Sequence, residues 1–492
     1  MLPLVSSSAS GVENPLSAFG ELLTAEPSPR IQLDAIYGIR SNCETFQAGT
    51  GSVSSDMTAF VCATGAGVGG YGVIRSRRTI RSRPGQGSLF RFTALFDKAN
   101  ATALSLQAAG PFNATNAILV GYNGTKFGIM HRTDGRHETR TLTITTPAGG
   151  GENVSLTLNG VLYTIPVTSG TEAFNAYEIE AWLNANQSVW DAHQNGDTVV
   201  LFSRNPGAMS GSYSVASSGA LVGNIVQDGA GVANTEEWVY QTPGVGEEQF
   251  NGDTLDGSGE SGMTIDTGKM NLFVVSIGYG GVVIYIENPE TRKFIAVHTF
   301  RFPNNTIIPF FLNPSFKIGW VAASLGSTTN LTVKGVNCMG EIEGRTYPLN
   351  REKSHTNQKN VSSTLVSVLA IRVRDVYHDV VQLSEVIPKS VSVAVEGTKS
   401  AEILVLLNPT FSSTPNWFYK DVNESIVELD TSAGTMSSEG EEIDSDTVAG
   451  GSDDRFALDA VHLERDDILV VAAKIQGGSG NNVTAGITWI EE

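Results

Sequence analysis

Between Leu272 and Phe302 the chain reads LFVVSIGYGGVVIYIENPETRKFIAVHTFRF. Three apolar runs are separated by Gly278-Tyr279-Gly280-Gly281 and by Asn288-Pro289-Glu290. Valine, isoleucine, phenylalanine and tyrosine fit a pleated, half-buried surface, whereas glycine, asparagine and proline interrupt it. The spacing predicts three consecutive antiparallel strands forming the middle of a sheet.

Composition extends this reading to the whole chain. Of its 492 residues 40% are hydrophobic, enough for real cores, and 53 are glycine. Only 17% are charged, below the roughly 25% usual in globular domains. That mixture suits many short strands joined by tight turns and is poor for long helices. The formal net charge of −19 disfavours a nucleic-acid partner, because phosphate contacts need clustered cations. It suits solubility through mutual repulsion. Cys43, Cys62 and Cys338 are too few and too scattered for a disulfide framework or a zinc site, so buried free thiols are expected. No apolar run approaches the roughly 20 residues that span a membrane. The opening MLPLVSSSAS lacks the basic region of a secretory signal.

In chain order, residues 1–35 are expected as an N-terminal arm. Its short helix would begin at Asn14-Pro15 and carry Leu16, Phe19, Leu22 and Leu23 on one face. Residues 36–136 form the first half of a β-sandwich, 137–235 an inserted α+β domain and 236–345 the second half. A linker at 346–360 leads to a C-terminal β-sandwich at 361–492. Asn123-Gly124, Asn159-Gly160 and Asn195-Gly196 mark tight hairpins. Thr171 caps a helix running to about Asn186, with Phe174, Tyr177, Ala181 and Trp182 inward. Gly211–Val215 is expected as the last strand of the insertion, and the acidic stretch Ser437–Asp454 as an exposed, mobile loop.

Motifs that carry chemistry are sparse. Gly65-Ala66-Gly67-Val68-Gly69-Gly70 has the G-x-G-x-x-G spacing, but Val73–Arg83 after it alternates like a strand, where a dinucleotide site needs a helix. It reads as a flexible glycine loop. Arg75, Arg77, Arg81 and Arg83 fall on one strand face and Arg78 on the other. Without interleaved aromatics they are expected to pair with carboxylates of this or an adjacent subunit, not with nucleic acid. Asn251–Gly259 is rich in oxygen ligands but lacks the EF-hand order, so it reads as a solvated loop. HExxH, GxSxG and P-loop signatures are missing, and the seven histidines are dispersed. His298 is expected as a satisfied sheet histidine. Glu287 ends a strand without the clustered carboxylates that glycosidases use. No catalytic, cofactor-binding or metal residue is therefore assigned, no cofactor is expected, and the chain is expected not to be an enzyme.

Two resemblances go further. The order Ser88–Asp97, Tyr122–Arg132 and Met270–Phe302 resembles the concanavalin/laminin-G-like jelly roll. The whole chain resembles virion structural proteins of tailed phages and large DNA viruses. It does so on Arg83-Pro84-Gly85-Gln86-Gly87 to Phe96, on Gly121–Ile129, and on Leu407-Asn408-Pro409-Thr410 with Trp489-Ile490-Glu491. The stretch 137–235 is similar to small domains inserted in phage tail proteins. The resemblance implies a mainly β protein: a jelly-roll β-sandwich with a small inserted α+β domain, followed by a second C-terminal β-sandwich. It implies a virion surface or tail-associated component (fibre, spike or capsid-associated) that assembles as a homo-oligomer. Its partners would be itself, other virion proteins and host-surface glycans, with no nucleic acid and no membrane span. The alternatives are a cellular carbohydrate-binding lectin or adhesin and, behind it, a polysaccharide depolymerase acting through a carboxylate such as Glu287.

Overall fold

The computed structural model describes residues 27–492 apart from 82, 84–85, 279–280, 302–309, 312–313, 345–350, 379, 413–414, 459–460, 466 and 478–479. The expected arm helix lies outside them.

The strand Ser88–Phe96 shows how the sequence builds the first sandwich. Its residues alternate strictly between buried and half-buried, which turns Phe90, Phe92, Ala94 and Phe96 inward. On one edge it pairs with Asn271–Gly278. On the other it pairs with Asn337–Glu343 and then with Thr332–Gly335, so a nine-stranded sheet branches there. The three strands expected from the apolar runs are Asn271–Gly278, Gly281–Glu287 and Phe294–Arg301, antiparallel in that order. They form one flank and not the middle, because Phe294–Arg301 is the sheet's last strand. The centre falls to Ser88–Phe96, whose inward row is the more aromatic.

The facing sheet has eight strands. Their order is Glu248–Gln249, Thr235–Tyr240, Lys126–Thr133, Ala117–Asn123, Ser105–Phe112, Lys317–Ser324, Tyr71–Ser76 and Cys43–Ala48. Both halves flanking the insertion contribute strands to both sheets. Between the sheets Phe92 stacks on Phe273 with ring centroids 5.7 Å apart. Trp320 is fully buried, and its indole N–H donates to Thr93 O at 2.8 Å. Each such aromatic removed from water stabilises the sandwich by about 1.5–3 kcal/mol. Gly335 is required here, since a Cβ would sit 2.0 Å from the Trp320 ring.

Residues expected as the end of the arm belong to this sandwich. Pro27–Asp34 pairs along its length with Asn337–Glu343 and turns Ile31 and Leu33 into the core.

The insertion holds a four-stranded and a three-stranded sheet with one α-helix, Glu172–Asn186. Thr171 caps the helix as expected, its hydroxyl accepting the Phe174 N–H at 3.2 Å. The buried face differs. Asn175, Ala176, Ile179 and Leu183 face inward, while Phe174, Tyr177 and Trp182 are half-buried and Ala181 is exposed. Small and aliphatic residues allow close approach to the sheet, and the wide aromatics pack at the rim, Trp182 edge-on to Tyr163. Asn175 can be buried because Ala148 N–H donates to its Oδ1 and its amide donates to Thr168 O, each at 2.8 Å. Asn159-Gly160 forms the two-residue hairpin loop with φ of +44° and +77°, which suits Asn-Gly. Ser214–Ser217 is not the last strand: Val222–Gly229 follows and pairs with Thr139–Thr146.

The C-terminal sandwich packs a six-stranded sheet on a four-stranded one. Two expectations are corrected. Lys353–Val361, within the expected linker, is an outer strand paired with Asn481–Glu491; its alternating polar residues need only one pairing partner. Glu441–Val448, within the expected acidic loop, is the outer strand beside Ala401–Leu407. Its carboxylates keep that edge from recruiting another strand. Sandwich, insertion and C-terminal sandwich each have their own apolar cluster. Among the described residues no helix is long and apolar enough to cross a membrane.

Candidate functional site

Period two gives the eight-stranded sheet a second, outward face. Across it run Tyr240, Gly128, Gly121, Ala108, Val321, Val73 and Phe46, each in register with the next. The row is floored by glycine and alanine in the middle and walled by aromatics at its ends. Trp238 stacks parallel to Tyr240 at 6.0 Å, and both lean over Gly128, where a Cβ would come within 2.9 Å of the Tyr240 ring. Phe46 is 43% exposed and Tyr71 37%. Polar groups rim the Trp238 end. The Asn123 amide donates to the Tyr240 hydroxyl at 3.0 Å, and the Lys126 ammonium lies 5.4 Å from the same ring while pairing with Glu247. Arg132 pairs with Glu236 at 2.7 Å. Tyr240, Gly128, Gly121 and Ala108 are themselves buried, so the aromatic surface left to a ligand is that of half-buried Trp238 at one end and of Phe46 and Tyr71 at the other. None of these residues stands out in the sequence as a binding residue. Only the cross-strand register brings Gly128 and Trp238 together.

Arg75, Arg77, Arg78 and Arg83 pair with carboxylates as expected, and Arg81 has no such partner among the described residues. Regular strand ends at Ser76, because Ile80 turns in to bridge Phe316, and this breaks the expected alternation. Arg75 meets Glu44 at 2.9 Å within the sandwich. Arg77, Arg78 and Arg83 reach the C-terminal sandwich, at Asp467, Glu385 and Glu492 respectively. Between them the Thr79 N–H donates to Glu464 at 3.1 Å. Burial is the main cause that pushes the Glu464 carboxyl up to about 7.

A second charged seam joins the insertion to the C-terminal sandwich. His193, on the strand Trp190–Asn195, is buried. Its Nδ1 lies 2.8 Å from Asp375 and its Nε2 3.3 Å from Glu428. Arg372 holds Glu428 at 2.6 Å and also donates to Gln194 O at 2.6 Å. The Asn195 amide donates to Glu428, and the Gly196 N–H to Trp417 O at 2.8 Å. Burial and Arg372 push the His193 pKa down, but Asp375 and Glu428 outweigh both and hold the ring protonated up to about 10. Beside it lies a cavity of about 290 Å³ bordered by Glu180, Asp191, Arg204 and Arg465. The expected dispersal of histidines concealed this cluster, whose members come from distant parts of the chain.

Other flagged residues serve the fold. The Asn251 N–H donates to His298 Nδ1 at 3.2 Å, and burial holds that ring near 4, so His298 is the satisfied sheet histidine expected. In the loop Asn251–Gly259, Asp253 accepts the N–H groups of Leu255 and Ser261, and Asp256 those of Ser258 and the Thr254 hydroxyl. These carboxylates stitch the loop to itself. The glycine loop is tightly packed and not slack: Gly67 N–H donates to Thr50 Oγ1 at 2.7 Å, and a Cβ on Gly65 would lie 2.0 Å from Thr50 O. Glu287 ends its strand opposite Phe294. The three cysteines are free; Cys62 and Cys338 are buried and Cys43 is half-buried.

No family model and no curated protein matches the chain. Among solved structures it is similar to the basic winged bean lectin with Tn-antigen, at 9% identity over 63% of this chain and 97% of that one, with a TM-score of 0.25. It is also similar to arcelin-5, a lectin-like defence protein from Phaseolus vulgaris, at 8% identity over 64% and 99%, with a TM-score of 0.24. The lectin UEA-II complexed with galactose gives 10% identity over the same shares and a TM-score of 0.23. Likenesses of this size carry no argument about ligand or activity.

Proposed function

We propose that the protein is a non-catalytic binding protein, a lectin or adhesin in kind, that receives saccharide on the outward face of the eight-stranded sheet. The observation that supports this is the aromatic surface left open on that face, half-buried Trp238 beside the polar rim and exposed Phe46 and Tyr71 at the far end. A sugar ring has an apolar C–H face that rests on an aromatic ring, and a hydroxyl rim that needs groups such as Asn123, Lys126 and Glu236 beside it. The winged bean lectin is described with Tn-antigen and UEA-II with galactose, but the reading rests on this chain's own surface. The test is a glycan array with the full chain and its Trp238→Ala and Phe46→Ala variants. Retention on a defined saccharide class should fall at least about tenfold in Trp238→Ala, the loss of about 1.4 kcal/mol. A wild-type protein that binds no glycan, or a variant that binds as well, ends the proposal.

A second reading is a homo-oligomeric virion component at the surface or tail. It is supported by the resemblance described above. Mass spectrometry of purified particles and native mass spectrometry of the protein test it. A monomer absent from every particle argues against it.

A further inference from the structure

We propose that the cleft between the arginine segment and the C-terminal sandwich is a binding site for a small oxyanion, with Arg81 as its anchor. All three guanidinium nitrogens of Arg81 are shielded from solvent, and none has a hydrogen-bond partner. A buried guanidinium with five unused N–H donors is costly unless a complementary group can reach it. The group that fits is planar or tetrahedral and accepts two parallel hydrogen bonds, as carboxylate, sulfate and phosphate do.

The surroundings favour the same ligand. Arg81 lines a cleft of about 230 Å³ together with Arg30, Lys389 and the two ion pairs Arg78–Glu385 and Arg83–Glu492. The carboxylates nearest Arg81 are already committed. Glu385 also meets His462 at 3.2 Å, Glu464 accepts the Thr79 N–H, and Glu492 holds Arg83. This leaves Arg30, Arg81 and Lys389 without a carboxylate partner among the described residues, in a chain whose net charge is −19. Ile80, Ile342 and Ile387 form the apolar part of the wall, so attraction between a bound anion and these cations is weakly screened. The volume exceeds several waters, each taking about 30 Å³, and admits an oxyanion with part of the molecule that carries it. The site lies apart from the outward sheet face and does not depend on the saccharide reading.

The test uses the full chain, as wild type, Arg81→Gln and Arg81→Lys, at pH 7 and fixed ionic strength. Chloride is replaced stepwise by inorganic phosphate or sulfate while thermal unfolding is followed, and phosphate binding is read directly from 31P line broadening. The wild type should gain Tm saturably, as a ligand that binds only the folded state demands. Arg81→Gln should lose at least tenfold in phosphate affinity, and Arg81→Lys should keep a weaker response. In chloride alone Arg81→Gln should melt no lower than wild type, since it removes an uncompensated buried charge. Parallel titrations with a sulfated or uronate disaccharide and with its neutral counterpart separate a free anion from an acidic saccharide as the natural source. An Arg81→Gln variant that responds to phosphate like wild type overturns the proposal. So does a wild type indifferent to the exchange, or an Arg81→Gln that melts far lower in chloride, which would give Arg81 a structural contact. Should Arg81→Gln not fold, Arg81→Lys and Lys389→Gln decide by the same readouts.

Discussion

The seam around His193 should come apart as its proton is removed. In the closed seam the ring is held protonated up to about 10, against about 6.5 when it is free in water. Each unit of that difference corresponds to about 1.4 kcal/mol, so the proton contributes on the order of 4–5 kcal/mol to closure. The cost of breaking a buried ion pair by removing one partner, about 3–5 kcal/mol, is of the same size. The sign follows from the direction of the shift. The pKa is raised in the folded state, so the contribution is complete below about pH 6.5 and is lost as pH rises towards 10. Burial pushes the Asp375 and Glu428 carboxyls up, but His193 and Arg372 outweigh it and hold both low. Burial moves the Glu180 carboxyl upward, so its ionisation adds a loss of the same sign, and Glu180→Gln is the control that isolates the histidine. The Gly196 N–H donates across the seam to Trp417 O, so native-state hydrogen exchange there reports opening directly. With intrinsic exchange rates corrected for pH, the opening free energy at Gly196 should fall by about 1.4 kcal/mol per unit between pH 7 and 9.5. In His193→Gln it should start about 3 kcal/mol lower and stay flat. Equal slopes in the two proteins would refute the reasoning.

Two more outcomes follow from buried groups. Glu464 is held at about 7 in the folded chain against about 4.3 in water. Its contribution is therefore present at acid pH and lost as pH rises through 7, a cost on the order of 3 kcal/mol above that. Glu464→Gln should raise Tm at pH 8 and lose that advantage by pH 5; no difference at pH 8 argues against it. Gly335→Ala places a Cβ 2.0 Å from the Trp320 ring and should cost roughly 1–3 kcal/mol or more as the core is forced apart. The urea midpoint measures this, and an unchanged midpoint contradicts the described contact.

What could be read from the sequence was local. Asn159-Gly160 demands left-handed backbone at adjacent positions, and Thr171 stands where a helix start needs an acceptor, so the hairpin and the cap were both visible. The apolar runs at 272–302 showed three strands, but not that Phe294–Arg301 closes the sheet, because an apolar pattern reports burial and not neighbours. The helix face departs from its apolar pattern because Asn175 is polar and still buried, and its partners Ala148 and Thr168 lie outside the helix. Lys353–Val361 was hidden for the opposite reason: an outer strand can be polar throughout. The residues of the outward sheet face and of the seams are the least legible. Trp238 meets Gly128 from across a sheet, and Arg77 meets Asp467 from 390 residues away. No periodicity records such a meeting.

The division between apolar cores and charged seams has a physical consequence. Each module buries its own valines, leucines and aromatics in a separate cluster, so docking one module on another gains little from the hydrophobic effect. What joins them is charge, through Arg77 to Asp467, Arg83 to Glu492 and His193 to Asp375 and Glu428. Buried ion pairs come close to breaking even against desolvation, yet they punish a wrong alignment heavily because a displaced charge is left unpaired. The seams therefore fix orientation more than they add stability. A protein built this way keeps its modules folded when a seam loses its proton and changes only how they sit together. That is why Gly196, on the seam itself, is the place to look for opening, and global unfolding is not.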